Sequence, residues 1–130
     1  MAAWEADDVR DEVAIRAEKR RKSVVEEYFR RLNAGDADGV LDLLTEDVRI
    51  EDPIGGGGPR ERRAYVTGQV DARVQITPGY VVASHDDEQV AVPYTEHRHG
   101  RTTDTLGVFR IDPQGLIKEL RTFRGFDDEE

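Results

Sequence analysis

Apolar residues early in the chain (Val13, Ile15, Val24, Val25, Phe29 and Leu32) fall at helical spacings and meet no glycine or proline before Gly35. That pattern predicts one long helix over about 8–33. Asn33-Ala34-Gly35 ends it, and Asp36 can cap a short second helix reaching Leu44, with Val40, Leu41, Leu43 and Leu44 as its apolar side. Val48-Arg49-Ile50 reads as a short extended segment that delivers Asp52 to a turn closed by Pro53. The glycines at 55–58 and Pro59 make a flexible loop with a helix start, because proline is tolerated at the first helical position, and a third helix is expected over about 60–70. Four strand candidates follow, at 74–84, 89–97, 101–111 and 116–126. They are separated by His85-Asp86-Asp87-Glu88, by His99-Gly100 and by Asp112-Pro113-Gln114-Gly115, all of which carry turn chemistry.

Three helices followed by a four-strand meander is an α+β order, in which a curved, mostly antiparallel sheet wraps the N-terminal helices and leaves an internal pocket. The 130 residues fit a single domain over 1–130, with about 1–12 as an N-terminal extension and 127–130 as an acidic tail. With 28 acids against 19 bases the net charge is −9, which argues against nucleic acid as a partner. The absence of cysteine excludes disulfides, thiolate metal sites and thiol nucleophiles. No run approaches the roughly 18 apolar residues of a membrane span, so the expectation is a cytoplasmic protein with no membrane partner.

Several motifs carry little. His97 and His99 alternate onto one strand face near Glu96 and His85, but no third ligand is evident and no metal site is expected. Lys19-Arg20-Arg21-Lys22 spreads around a helix as a solvated surface. The glycine run lacks the Gly-Lys-Ser/Thr ending of a phosphate loop and reads instead as a flap near Asp52. With no dinucleotide fingerprint and no serine elbow, the reaction is expected to need no cofactor.

The chemistry-bearing residues are Tyr28, in Glu27-Tyr28-Phe29, and Asp52, in Val48-Arg49-Ile50-Glu51-Asp52-Pro53-Ile54-Gly55, with Leu32-Asn33-Ala34-Gly35-Asp36 between them. Taken singly, Tyr28 fits a core aromatic and Asp52 an ordinary turn opener. Together they resemble the ketosteroid isomerases over about 24–123. The element order is similar to the cone of the nuclear transport factor two-like superfamily, which includes those isomerases, the SnoaL-like polyketide cyclases and small epoxide hydrolases. The resemblance implies a tyrosine on the first helix donating to a developing oxyanion, and an aspartate moving a proton beside a carbonyl.

The resemblance fails at Gly107, which stands where the isomerases carry a protonated aspartate as second oxyanion donor. Asp104 faces the other side by strand alternation. Losing one such donor costs on the order of 3 kcal/mol. If Gly107 faces the cavity, Thr103, Thr105 and Phe109 do too, with Val92, Tyr94 and Glu96 on the preceding strand and Arg124 on the last, making a polar pocket. Glu96 can equally lie solvated at the hairpin end, paired with Arg98 or Arg101.

The leading expectation is a cofactor-independent proton-transfer isomerase or cyclase of secondary metabolism, acting on a small carbonyl- or oxygen-bearing hydrophobic metabolite. Asp52 is its base and Tyr28 its donor, helped by Tyr94 or a protonated Glu96. One alternative is epoxide hydrolysis or epoxide-opening cyclisation by Asp52 with Glu96. Another is a binding module without chemistry. The resemblance also implies a homodimer through the outer sheet face, to which Val81, Ala91 and Leu106 would contribute.

Overall fold

A computed structural model describes the backbone over residues 3–52, 59–84 and 88–127. The glycine loop at 55–58, Pro53, His85 and the end of the acidic tail lie outside the described residues. Helix α1 (Ala3–Asn33) runs five residues further back than the spacing predicts, through the segment read as an extension. Its buried face is Val25, Tyr28, Phe29 and Leu32, an i, i+3, i+4, i+7 set. Val13 and Ile15, counted with that face from sequence, are exposed, because only the C-terminal half of α1 packs on the sheet.

A left-handed Gly35 (φ +72°) closes α1. Asp36 N–H donates to the Arg31 carbonyl and Gly35 N–H to that of Leu32, so the last carbonyls are satisfied. The Asp36 carboxylate then accepts from Gly39 N–H at 2.9 Å and caps α2 (Ala37–Leu41), which stops three residues before Leu44. Leu44 instead begins β1 (Leu44–Glu51). Pro59 does not start a helix: it belongs to β2 (Pro59–Arg60), and Glu61 caps α3 (Arg62–Asp71) by accepting from the N–H groups of Arg63 and Ala64.

The expected strand at 74–84 is broken into β3 (Gln75–Pro78) and β4 (Val82–Ala83), both antiparallel to β5 (Gln89–Arg98). Pro78 has no N–H to continue the ladder, and Gly79 donates to the Pro93 carbonyl at 2.7 Å where the chain turns away. Strand β6 (Arg101–Ile111) follows a two-residue turn in which His99 and Gly100 both have positive φ, 52° and 76°, the geometry that suits a twisted hairpin. Strand β7 (Ile117–Asp127) completes the series.

The sheet order is β2-β1-β7-β6-β5-β3, with β4 also on β5. All neighbours are antiparallel except β1 and β7, which run parallel with Ile50 beside Leu120 and Glu51 beside Arg121. The fold is therefore α+β, a mostly antiparallel curved sheet with helices on its concave side. Period-two alternation writes each inner row: Val90, Val92, Tyr94 and Glu96 on β5 are buried, as are Thr105, Gly107, Phe109 and Ile111 on β6. Both rows run from apolar to polar toward one end. Cross-strand register puts Tyr94 beside Thr105 and Thr105 beside Arg124, so the polar ends coincide.

At the apolar end, Phe29 meets Tyr94 and Phe109 with ring centroids 5.2 and 5.8 Å apart, and Tyr28 meets Phe109 at 5.5 Å. On the outer face Leu106 and Phe123 pair across strands and are exposed.

Asn33, the last residue of α1, closes the edge of β3 with its side chain. Its Nδ2 donates to the Ile76 carbonyl at 2.8 Å and its Oδ1 accepts from Ile76 N–H at 2.6 Å. Asn33→Ala leaves both backbone groups unpaired and should lower stability by about 1–3 kcal/mol, read as a reduced urea midpoint with unchanged slope.

Candidate active site

Asp52, just past the end of β1, and Glu96, on β5, are 3% and 2% exposed. Burying a carboxylate without a partner costs several kcal/mol, and here one guanidinium serves both. Arg124 donates through Nε and Nη2 to Asp52 at 3.2 and 3.1 Å, and through Nη1 and Nη2 to Glu96 at 2.8 and 3.2 Å. The parallel β1–β7 pairing makes this possible, because Asp52 leaves the end of β1 alongside the stretch of β7 that carries Arg124. Burial alone would lower the Arg124 pKa, but hydrogen bonds to Glu96 and Asp52 and their charges outweigh it and raise it.

The network continues onto α3. Tyr65 donates its hydroxyl to Asp52 Oδ2 at 2.9 Å, Gln69 Nε2 donates to the Tyr65 oxygen at 3.1 Å, and Arg98 donates to Gln69 Oε1. Arg98 Nε also stands 3.4 Å from Glu96, so that carboxylate faces two arginines. The resting cluster is a chain of alternating charges, Arg98–Glu96–Arg124–Asp52, with Tyr65 at its Asp52 end. Both oxygens of Glu96 accept from Arg124, and its approach to Arg98 is the pairing that one of the two sequence readings expected, though Glu96 is buried rather than solvated.

Tyr28 is buried within electrostatic reach of both carboxylates. Desolvation first, then the charges of Asp52 and Glu96, push its hydroxyl pKa well up. Tyr94 is raised similarly by burial, then by Tyr28 and Glu96. Tyr65 is raised by burial, then by Tyr28 and Asp52. All three phenols therefore keep their protons at neutral pH.

At Gly107, a Cβ would stand 2.9 Å from Tyr94 Cε1 and 3.0 Å from Phe109 Cε1. The space that an acid would need is taken by two aromatic rings. A cavity of about 390 Å³ opens instead between α3 and the end of β1, lined by Asp52, Arg60, Glu61, Ala64, Tyr65, Gly68, Gln69 and Arg98. Of the residues expected to line a pocket, Val92 and Phe109 are fully buried in the packed core. Thr105 buries a hydroxyl with no partner among the described residues, Thr103 is partly buried opposite Glu96, and Arg124 is committed to the carboxylates.

His97 points to the outer face between Thr77 and Thr102, away from Glu96. Sequence reasoning did not single out Tyr65, Gln69, Arg98 or Arg60 as site residues. The available signal was the i, i+4 spacing of Tyr65 and Gln69 on one face of a helix next to the Asp52 loop.

Residues 25–120 match the SnoaL-like domain family. Epoxide hydrolase LasB of Streptomyces lasalocidi is 36% identical over 124 residues, covering 86% of this chain and 44% of LasB, so the chain spans less than half of that protein's length. Among solved structures, the epoxide hydrolase/cyclase-like enzyme SalBIII, described with a role in pyran ring formation in polyether salinomycin, shares 34% identity. Its TM-score is 0.76 over 84% of this chain and 93% of SalBIII. A ketosteroid isomerase-like protein of Kribbella flavida, at 20% identity and TM-score 0.71 over 87% of this chain and 83% of that one, shares the fold. No described helix is long and apolar enough to cross a membrane.

Replacing Arg124 by methionine strands two buried carboxyls and should cost about 3–5 kcal/mol. Deprived of the guanidinium they share and desolvated, they should bind protons more tightly folded than unfolded, so the variant's stability should fall as pH rises; urea midpoints in acid and at neutrality test this. Three of the four tyrosines have raised pKa values, so ultraviolet titration of the native protein should ionise no more than one before unfolding. Because the raised phenols hold their protons better folded than unfolded, their contribution is present below the unfolded tyrosine pKa of about 10 and is lost as pH rises through the raised folded values.

Proposed function

The chain belongs to the SnoaL-like domain family, and within that family we propose that it opens an epoxide, by an internal hydroxyl to form a cyclic ether or by water to form a diol. The observation that carries this reading is Asp52, buried yet lining the cavity and held by Arg124 against a second carboxylate, Glu96. The names of LasB and SalBIII support it. A cavity of about 390 Å³ lies within the roughly 300–1,000 Å³ typical of small-molecule sites.

Asp52 is the base in this reading. It takes the proton of the attacking hydroxyl as that oxygen bonds to an epoxide carbon and the carbon–oxygen bond behind it breaks. Arg124 fixes the carboxylate's orientation through a two-point fork and supplies the countercharge that its burial requires. Glu96 is absent from the cavity lining and acts on Asp52 through Arg124. The two carboxyls thus share one guanidinium, Asp52 on its cavity side and Glu96 behind it, rather than facing each other across a cavity. An enolate-forming isomerisation is less well supported, since the aromatic rings at Gly107 leave no second acid to hold a persistent oxyanion.

The test is incubation with a panel of epoxy alcohols that includes 4,5-epoxyhexan-1-ol, in water enriched in oxygen-18. Unlabelled cyclic ether identifies a cyclase and labelled triol a hydrolase. Asp52→Asn should lower turnover by about a hundredfold to ten-thousandfold with the fold intact by circular dichroism. A wild-type protein that leaves the whole panel unchanged, or an Asp52→Asn variant of wild-type rate, overturns the reading.

A further inference from the structure

We propose that Tyr65, rather than a second carboxylic acid, delivers the proton to the departing epoxide oxygen and recovers it from Asp52. The inference rests on the epoxide-opening reading. Backside attack sets the incoming and departing oxygens on opposite sides of one carbon, so the group that strips the first does not stand beside the second. Two protic groups are needed at the cavity wall. Asp52 and Tyr65 both line it and are joined at 2.9 Å. Glu96 does not line it and spends its oxygens on Arg124. Glu61 lines it too, but its carboxylate caps α3 by accepting from the N–H groups of Ala64 and Arg63, which lowers its pKa and keeps it an anion; the lining arginines hold their protons at any working pH.

Hydrogen-bond bookkeeping fixes where the Tyr65 proton lies. Arg98 only donates, so Gln69 must turn Oε1 to it and present Nε2 to Tyr65. That amide donates to the phenol oxygen, which leaves the single hydroxyl proton directed at Asp52 Oδ2. Gln69 is 5% exposed, so the arrangement is held inside the protein.

The protons and bonds balance over one turnover. Asp52 takes the nucleophile's proton as the new carbon–oxygen bond forms. The electron pair of the breaking bond goes to the epoxide oxygen, which takes the Tyr65 proton after a turn of the hydroxyl about its own bond. Protonated Asp52 then returns a proton to the Tyr65 oxygen across the contact they already share, and both groups are back at rest. Burial, the largest cause, holds the Tyr65 pKa well above the ordinary phenol even when Asp52 is protonated and neutral, so a phenolate reclaims its proton from Asp52.

Tyr65→Phe removes one oxygen and keeps the ring. On the panel member turned over fastest by wild type, it should lower kcat by about a hundredfold to a thousandfold with KM within about threefold. A trifluoromethyl group on the carbon that keeps the departing oxygen makes that alkoxide far less basic. On the trifluoromethyl analogue the loss should shrink to about tenfold or less, because proton delivery then matters less. Equal losses on both substrates reduce Tyr65 to a residue that positions Asp52 and overturn the proposal. A Tyr65→Phe variant matching wild type while Asp52→Asn is inactive overturns the relay and leaves the epoxide reading standing. Failure of wild type on the whole panel removes both.

Discussion

Arg124 is the constraint around which the open end of the sheet is organised. Its guanidinium collects a carboxylate from the end of β1 and another from β5 while itself standing on β7, so three strands meet at one planar group. Neither acid could be buried as an ion without it, and Arg124 would be equally costly alone. The ordering of the strands follows from the same need. β7 lies centrally, parallel to β1 on one side and antiparallel to β6 on the other, which is the placement that lets one residue face both Asp52 and the polar end of β5.

The cluster divides the two acids by exposure to the cavity rather than by chemistry alone. Asp52 has one side toward open space and the other toward Arg124, whereas Glu96 lies behind the guanidinium and against Arg98. A carboxylate held by a fork that is itself pinned from behind has little freedom to swing, so the base of the proposed reaction keeps a fixed direction. Tyr65 and Gln69 extend that rigidity onto α3, where the donors and acceptors are used in only one consistent sense.

Alternation along β5, β6 and β7 was readable in advance because a strand's period is two and does not depend on what it pairs with. Glu96, Tyr94, Thr105 and Arg124 all face inward as that period requires. Long-range pairing leaves no such local trace: nothing in Val48-Arg49-Ile50 announces that β1 runs parallel to β7. For the same reason the partner of Asp52 was missed although both members of the pair had been singled out. Tyr65 and Gln69 sit on a short, polar helix with no motif, and their role appears only once α3 is laid beside Asp52. Val13 and Ile15 match the helical period, yet α1 outruns the sheet that would have covered them. Pro78 and Gly79 carried a legible break signal in the run read as one strand.

If the proposed epoxide opening is the reaction, the glycine at 107 and the network at Asp52 have a common explanation in where negative charge ends. A carbonyl whose neighbouring carbon loses a proton carries its charge as an enolate until another proton transfer, and fixed donors must hold it throughout. An opening epoxide carries charge on an oxygen that must finish as a neutral hydroxyl. Such a site gains more from one donor that releases its proton and takes it back than from two that never let go. Filling the space at Gly107 with the rings of Tyr94 and Phe109 exchanges a permanent donor for apolar packing. On the proposed reaction, the phenol joined directly to Asp52 is then the proton-bearing group at the wall of the cavity.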